Sequence, residues 1–423
     1  MASSDCIKRL MQKNIIIAVG CTEPVAVALC VAKAKEILSE SVDRIELSLS
    51  KNIIKNAMGV GIPSTGMIGL PIAVALGVVC GDSSKGLEVL FDAKNNVDIA
   101  KEWLENHCVK IGTAQTDEKL YIQCCAESKH SSATVVIAQN HTNFVHIEKE
   151  GKILMHKEIG QKEEYVCEDD ILNILNEKMI WDYATTEPLE NLAWIEETIK
   201  LNGKCSEESL KGEYGLQIGK KLFESNDGNI RTEIIARTCA ASDARMDGIT
   251  LPIYSNSGSG NQGITCTLPV YYYGVKHDID KEKIIRALTL SHLTSIYIKS
   301  KIGRLSALCG IVNAAMGAAS GITYLAGGSF EQVCYAINNM TNTITGMLCD
   351  GAKPSCALKI STGLHSAFDS VMLAMNNIVV DATDGIAATD IDKTIESIGK
   401  IGRYGMDTTD NIVLEIMTAK NCK

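Results

Sequence analysis

The sequence predicts an α+β protein in which a mainly helical domain carries an inserted α/β segment with a mostly antiparallel sheet. Residues 5–38 have the pattern of two helices separated by a turn. Between about 42 and 165, short stretches alternate apolar and polar residues, as half-buried strands do. From about 168 onward, the apolar residues recur at helical spacing almost throughout. We therefore predict a helical domain from residues 1–41 and 168–423, and an inserted domain from residues 42–167.

The strands of the inserted segment are predicted from short apolar–polar repeats bounded by turn residues such as Glu150 and Gly151. Helices such as VDIAKEWLENH interrupt them. In the N-terminal helix pair, the pattern breaks at VGCTEP and resumes at Val25, and Pro24 suits a first helical turn. The predicted strands are RIELSLS, LYIQCCAE, ATVVIAQ, NFVHIEK and KILMHKE.

Length and charge limit the classes of partner. The 423 residues are 46% apolar, which is enough for one large core or two moderate cores. The chain has 51 acidic and 41 basic residues, a net charge of −10, and no block of Lys or Arg. Nucleic acid and anionic membrane surfaces are therefore poor candidate partners, and we expect a small-molecule substrate. A homodimer is compatible with the sequence, which does not determine the oligomeric state.

Two stretches resemble membrane signals, but neither fits well. CIKRLMQKNIIIAVGC has a basic start and a lipobox-like end at Cys21, but its apolar patch is about half the usual length of a signal peptide core. Residues 305–330 carry no charge and are long enough to span a bilayer. Asn313 and the many small residues there favour a buried central helix pair instead. We therefore expect a cytoplasmic protein.

The sixteen cysteines also point to a reducing cytoplasm, because they lack the dense spacing of a secreted disulfide scaffold. Most lie in runs of apolar or small residues, where a thiol usually serves as a small buried hydrophobe. Examples are Cys30, Cys80, Cys239, Cys266 and Cys334.

The segment GMLCDGAKPSCALK, residues 346–359, is the exception. Gly351 and Pro354 favour a loop between Cys349 and Cys356, with a new helix starting near Cys356. A helix N-terminus stabilises a thiolate, so these two thiols suit a metal or an iron–sulfur cluster. Two unrelated buried thiols are the alternative. Cys309, in SALCGIVNAA, is a third candidate, since Gly310 would let a bulky group approach the helix.

Two further loops could hold an anion. YSNSGSGNQG, residues 254–263, offers backbone N–H groups and small hydroxyls, and it also resembles a pyridoxal phosphate cup. A pyridoxal phosphate lyase is therefore a rival hypothesis, but it leaves the three cysteines unexplained. GIPSTGMIGLP, residues 61–71, could cradle a carboxylate through Ser64 and Thr65, or could simply be a turn between buried segments.

Four segments together resemble the L-cysteine desulfidase family, which is related to the oxygen-sensitive iron–sulfur L-serine dehydratases. They are GCTEPVAVA, SNSGSGNQGITCTLPV, ALCGIVNAAMGAA and GMLCDGAKPSC, and the likeness covers nearly the whole chain. The resemblance implies that Cys309, Cys349 and Cys356 hold a 4Fe-4S cluster. It also implies a catalytic role for Cys21, at a position where the serine dehydratases carry a histidine.

The implied function is a cytoplasmic 4Fe-4S L-cysteine desulfidase that forms hydrogen sulfide, ammonia and pyruvate. Three thiolate ligands leave one iron open as a Lewis acid. Cys21 would act as the base, with a lowered pKa, or as a fourth ligand displaced by substrate. The residues assigned to substrate positioning are Ser64, Thr65, Asn256, Ser257, Gly258 and Asn261.

Three alternatives to this assignment stay open. One is a serine or related dehydratase with the same cluster, and another is a non-catalytic iron–sulfur protein. The third concerns the tail: related dehydratases can use a C-terminal cysteine as a ligand, and Cys422 is the penultimate residue here. A flexible, exposed tail thiol is the simpler interpretation of Cys422.

Overall fold

The computed structural model describes residues 4–159, 171–303 and 306–420, and it confirms the α+β class with mainly helical structure. The α-helices are Ser4–Asn14, Thr22–Leu38, Lys51–Ala57, Leu70–Val79, Val97–Asn106, Glu177–Thr186, Leu189–Leu192, Glu196–Lys211, Ile218–Glu224, Ile230–Asp247, Gly260–Lys276, Lys281–Ile302, Gly310–Leu325, Phe330–Ile344, Cys356–Met375, Ile391–Lys400 and Met406–Lys420. The strands are β1 Ile17–Ala18, β2 Arg44–Leu49, β3 Cys108–Thr113, β4 Tyr121–Glu127, β5 Ser132–Ala138, β6 Phe144–Lys149, β7 Lys152–His156 and β8 Ile253–Tyr254.

The main sheet has six strands in the order β3-β2-β4-β5-β6-β7. Strands β2 and β3 are parallel, with Leu47 opposite Ile111, and every other neighbouring pair is antiparallel. In β2 the odd-numbered residues are buried, because successive side chains of a strand point to opposite faces. The predicted strands and their mostly antiparallel pairing are confirmed.

Two large hydrophobic cores lie within the described residues. One is formed by the C-terminal helices together with the first helix, through Ile7, Leu10 and Met11. The other combines the sheet with helices Thr22–Leu38 and Leu70–Val79. The predicted domain boundaries stay a prediction, and helix Thr22–Leu38, on the N-terminal side of the boundary at residue 41, shares its core with the sheet.

The uncharged stretch 305–330 was predicted to form a helix pair, but its described part contains one buried helix, Gly310–Leu325. The residues before it are extended, because Leu308 forms a bridge with Leu348. The next helix begins only at Phe330. Among the described residues, no helix combines the length and the apolar character needed to cross a membrane.

A two-stranded sheet joins the N-terminal segment to the glycine-rich loop. Ile17 pairs with Tyr254 and Ala18 with Ile253 in antiparallel register. The Ser257 N–H then donates to the Asn14 carbonyl oxygen at 2.9 Å. This pairing holds the turn before Cys21 beside a loop that lies more than 200 residues away in the sequence.

Glu177, at the start of helix Glu177–Thr186, is a fully buried carboxyl group. The Thr294 hydroxyl donates to its Oε1 at 2.6 Å, while its Oε2 has no hydrogen-bond partner among the described residues. Burial raises the pKa of Glu177 to about 8, and the nearby Asp392 carboxylate adds to this effect. The folded protein therefore favours the protonated acid.

We expect Glu177→Gln to remove a loss of stability that the wild type shows as the pH rises. Because the pKa of Glu177 is raised in the folded protein, its protonated form contributes fully to the free energy of unfolding below about pH 4.5. This contribution is lost as the pH rises toward about 8. At about pH 8 the variant should be more stable, by on the order of 3 kcal/mol. Urea unfolding at about pH 5.5 and about pH 8 measures this difference. The exposed Glu190→Gln is the matched control, and an equal pH dependence in both variants would contradict the assignment.

Candidate active site

A cavity of about 260 Å³ brings together four thiols from distant segments of the chain. Its walls include Cys21, Cys309, Cys349 and Cys356, which are the catalytic and cluster cysteines predicted from the sequence. Residues of the sheet segment, such as Leu120 and the 140–142 turn, also line it. The cavity therefore lies where residues of the sheet segment and residues of the helical segments meet.

Cys309 and Cys349 are held side by side by a short antiparallel bridge. The Cys309 N–H donates to the Met347 carbonyl oxygen at 2.9 Å, and the Cys349 N–H donates to that of Ala307 at 2.6 Å. The two thiols are hydrogen bonded to each other, and this bond lowers the pKa of Cys349 to about 5. The same bond, together with burial, raises the pKa of Cys309 well above its ordinary value. The two thiols therefore titrate as a pair, with Cys349 the more acidic of the two.

Cys356 is the first residue of helix Cys356–Met375, as the sequence predicted. The expected thiolate is not found there, because burial raises the pKa of Cys356 and outweighs the helix terminus. Gly351 in the preceding loop has φ of +91°, and a Cβ at this position would lie 2.1 Å from the Lys55 carbonyl oxygen. The loop can therefore pack against helix Lys51–Ala57 only with glycine at this position.

Three lysines lie close enough to the thiols to affect their charge, and two of them, Lys299 and Lys55, are buried. Lys299 is 7% exposed; burial lowers its pKa to about 8, against the opposing effect of Cys349 and Cys309. Lys55 is 2% exposed and is ion-paired with Asp410 on the C-terminal helix. Lys359 donates to the Leu348 carbonyl oxygen at 2.7 Å. Positive charge at these positions favours negatively charged groups in the cavity.

The thiols that line the cavity are of the chemical type that holds an iron–sulfur cluster. Within residues 4–159, 171–303 and 306–420, no group of three or more His, Cys, Asp or Glu side chains is close enough to hold one metal ion. The cysteines of a 4Fe-4S cluster bind different iron atoms, so they surround a volume and do not converge on one point. Cys309, Cys349 and Cys356 line one cavity, together with the buried Lys299.

Cys21 is the N-cap residue of helix Thr22–Leu38 and is 3% exposed. Its Sγ donates to Glu23 Oε2 at 3.1 Å, and Asn56 Nδ2 donates to Glu23 Oε1 at 3.0 Å. The sequence suggested a lowered pKa for Cys21, which is wrong in this structure. Burial and the Glu23 carboxylate raise the pKa of Cys21 well above its ordinary value, and Arg245 opposes them only in part.

Glu23 is a buried carboxylate at the centre of this hydrogen-bond network. Burial alone would raise the pKa of Glu23. The charge of His141 and the hydrogen bond from Cys21 act in the opposite direction and outweigh burial, so the pKa of Glu23 is lowered. Thr22 Oγ1 lies 3.0 Å from Glu23 Oε2 and 3.2 Å from the Gly258 carbonyl oxygen. Thr22 thus connects the helix start to the glycine-rich loop.

Three of the predicted substrate-binding residues, Ser257, Gly258 and Asn261, line the cavity. Ser257 and Gly258 have φ of 50° and 83°, a conformation that turns the backbone sharply toward the next helix. This helix begins at Gly260, so Asn261 lies in its first turn and not in a loop. Its Oδ1 accepts a hydrogen bond from Ser242 Oγ at 3.2 Å.

The other three predicted binding residues are not among those that line the cavity. Asn256 is fully buried; its Nδ2 lies 3.0 Å from His292 Nδ1, and its Oδ1 accepts from Ser257 Oγ at 2.8 Å. Thr65 Oγ1 donates to the Ile62 carbonyl oxygen at 2.8 Å, within the turn that also contains Ser64. The substrate-binding roles of these residues stay predictions. Cys422 lies outside the described residues.

The structure adds cavity residues that the sequence patterns did not reveal. Arg245, at the end of helix Ile230–Asp247, is 4% exposed, and its Nη2 donates to the Gly20 carbonyl oxygen at 3.3 Å. Gln262 Oε1 accepts from Asn313 Nδ2 at 2.8 Å, and the Gln262 side chain is the group that packs against Gly310. Arg245 lies in no motif, and Gln262 lies within the glycine-rich segment 254–263 but was not assigned a role there. Tertiary packing brings both side chains to the cavity.

Comparison with known proteins identifies the family of this chain. The family model described as serine dehydratase alpha chain matches residues 93–415. The chain is 48% identical to a UPF0597 protein of Phocaeicola vulgatus over 422 residues, covering 98% of this chain and 97% of the relative. It is 47% identical to one of Bacteroides fragilis over 420 residues, with 98% and 97% covered, and 42% identical to one of Clostridium perfringens over 419 residues, with 97% of each covered. The relation to the serine dehydratases expected from the sequence is thus confirmed, and the chain belongs to the serine dehydratase alpha chain family.

Proposed function

We propose that this protein is a 4Fe-4S-dependent L-cysteine desulfidase that converts L-cysteine and water to hydrogen sulfide, ammonia and pyruvate. The observation that carries the proposal is that four thiols line one cavity. Cys309, Cys349 and Cys356 come from the C-terminal half of the chain, and Cys21 comes from the start of helix Thr22–Leu38. The family is one of lyase-type enzymes, which supports an elimination reaction. By the resemblance drawn from the sequence, the cysteine at position 21 stands where the serine dehydratases carry a histidine, and this favours cysteine over serine as the substrate.

In this proposal Cys309, Cys349 and Cys356 hold the cluster. When bound, the cluster would supply an open iron, a Lewis acid that stabilises the negative charge developing on the substrate. The buried Lys299 and Lys55 would offset the negative charge of the thiolates.

Cys21 is proposed to remove the α-proton of the substrate. Its Sγ lies at the cavity wall and donates a hydrogen bond to Glu23. Because the pKa of Cys21 is raised and that of Glu23 is lowered, the thiol keeps its proton until further positive charge approaches it. The ammonium group of a bound amino acid would bring positive charge beside Glu23 and Cys21 and so favour the thiolate. Once the α-proton is removed and the C–S bond breaks, sulfide leaves together with aminoacrylate. Aminoacrylate tautomerises to an imine, which water hydrolyses to pyruvate and ammonia.

The second candidate is an L-serine dehydratase with the same cluster, and the family description favours it. The two functions share the cavity, the cluster ligands and the removal of the α-proton. They differ in the leaving group, which is sulfide in one reaction and hydroxide in the other.

Anaerobic purification followed by assays on one sample tests the proposal. We expect about four irons and about four acid-labile sulfides per chain, equal rates of sulfide and pyruvate release from L-cysteine, and a higher kcat/KM for L-cysteine than for L-serine. A higher value for L-serine would assign the protein to the dehydratases. An intact cluster without turnover of either amino acid would favour a non-catalytic iron–sulfur protein. An air-stable activity that requires pyridoxal phosphate would favour the rival cofactor.

A further inference from the structure

Arg245 is a buried cation for which the structure provides no acidic partner among the described residues. Its side chain is 4% exposed and lines the cavity. Apart from the hydrogen bond to the Gly20 carbonyl oxygen, its guanidinium has donors to spare, and its Nε has no hydrogen-bond partner among residues 4–159, 171–303 and 306–420. A buried charge without a counter-ion is unfavourable, so this arrangement favours an anion in the cavity.

The Arg245 side chain passes close to the backbone of Gly260, where a larger residue would block it. A Cβ at Gly260 would lie 2.1 Å from Arg245 Nε, so glycine at the start of helix Gly260–Lys276 is what allows the guanidinium to pass. The other buried cation that lines the cavity, Lys299, lies beside Cys309 and Cys349. Arg245 instead lies beside Cys21, whose pKa its charge lowers against burial and Glu23. The two cations therefore serve different parts of the cavity.

Opposite charges thus flank Cys21. Glu23 is hydrogen bonded to the Cys21 thiol, and Arg245 binds the carbonyl oxygen of Gly20, the residue before it. An α-amino acid carries an ammonium and a carboxylate on the same carbon, the carbon whose proton Cys21 is proposed to take. A guanidinium can bind a carboxylate through two parallel N–H···O hydrogen bonds, which also fixes its orientation.

We infer that Arg245 binds the α-carboxylate of the amino-acid substrate and so sets the position of the α-carbon beside Cys21. This inference deepens the proposed function and depends on it for the identity of the substrate. It gives the carboxylate a site other than the Ser64–Thr65 turn, which is not among the residues that line the cavity. Compounds that have the amine and the thiol but lack the carboxylate should bind only weakly.

Binding of two unreactive ligands to the cluster-loaded enzyme tests this role. L-Alanine has the carboxylate but no leaving group, and cysteamine has the amine and thiol but no carboxylate. Anaerobic calorimetry should show that Arg245→Gln weakens L-alanine binding by about 30-fold and Arg245→Lys by about 10-fold. Cysteamine binding should change by less than about 3-fold in both variants, since it makes no bond to the guanidinium.

Arg237→Lys is the matched control, because Arg237 lies on the same helix, outside the cavity, and is ion-paired with Glu233. It should leave both affinities unchanged. If Arg245→Lys lost affinity for L-alanine and for cysteamine equally, the inference would be overturned. Arg245 would then act by stabilising the turn at Gly20 through its hydrogen bond. Unchanged L-alanine affinity would overturn it as well. If Arg245→Gln fails to fold, Arg245→Lys, which keeps the charge, decides the question.

The inference and the proposed function can fail separately. Calorimetry reports binding without turnover, so a selective loss of L-alanine affinity would support the carboxylate site even in a protein that releases no sulfide from cysteine. Conversely, sulfide and pyruvate release by the wild type together with unchanged L-alanine binding in the variants would keep the function and reject the role of Arg245.

Discussion

Cys349→Ala should lose the cluster and the activity together. Cys349 is the most acidic of the three proposed ligands, with a pKa of about 5, and it shares a hydrogen bond with Cys309. Removing it leaves two thiols for a group that we propose to be held by three. Since loss of an outer-shell partner of a metal site already costs about 10- to 100-fold in metal affinity or activity, loss of a ligand should lower cluster affinity and turnover by at least about 100-fold.

Cys30→Ala is the matched control for this experiment. Cys30 is also fully buried, but it lies in the sheet core, where its thiol faces the Val135 carbonyl oxygen at 3.3 Å. Its loss should lower stability slightly and leave iron content unchanged. Iron, acid-labile sulfide and pyruvate formation are measured on the same anaerobic samples. If Cys349→Ala kept both its iron and its activity, the assignment of the cluster ligands would be wrong.

The same substitution at Cys309 or Cys356 should have the same effect as at Cys349. Each residue comes from a different part of the cavity wall: Cys309 precedes helix Gly310–Leu325, Cys349 lies in the loop, and Cys356 starts the next helix. A cluster held by all three would therefore be lost from any of the variants. Cluster retention in one variant alone would remove that cysteine from the proposed set.

Local sequence signals were sufficient for the elements around the site. The alternation of apolar residues in RIELSLS predicts β2, in which Ile45, Leu47 and Leu49 are buried. Pro24 and Pro354 indicate where two helices begin, and those helices start at Thr22 and Cys356. The cysteine positions were found because their motifs are short and contiguous.

Packing between distant segments was not predictable in the same way. Helix Thr22–Leu38 is buried on nearly all sides, so its sequence has no polar face that would tell which core it joins. Arg245 and His141 reach the cavity only through tertiary structure, and neither lies in a recognisable motif. The signal that could have found Arg245 is its position on an otherwise small and apolar helix surface, but many buried or ion-paired arginines share it.

The pKa of Cys21 shows why its position at a helix N-terminus did not predict the protonation state of its thiol. A helix N-terminus favours a thiolate by a modest amount, whereas burial in an apolar environment can shift a pKa by several units. At Cys21 burial acts together with a carboxylate two residues away in the chain. The sequence shows the carboxylate of Glu23, but only the folded structure shows that both groups are buried.

Cys21→Ser should separate catalysis from cluster binding. If Cys21 takes the α-proton, a serine in its place keeps the hydrogen bond to Glu23 but is a much weaker acceptor of a proton at neutral pH. General-base catalysis contributes about 10²- to 10⁴-fold, so kcat should fall by on the order of 10³-fold. KM and iron content should stay close to the wild-type values, because neither depends on the base in this mechanism.

The alternative role of Cys21, as a fourth ligand displaced by substrate, gives a different result. A serine there would then weaken the resting cluster, so iron content and kcat would fall together. Cys205→Ser is the matched control, since Cys205 is a fully buried thiol whose Sγ lies 3.4 Å from the Ala241 carbonyl oxygen and which does not line the cavity. α-Deuterated L-cysteine adds a second criterion: a slower proton abstraction in Cys21→Ser should increase the kinetic isotope effect, whereas a role limited to cluster retention should leave it unchanged in the molecules that keep their iron.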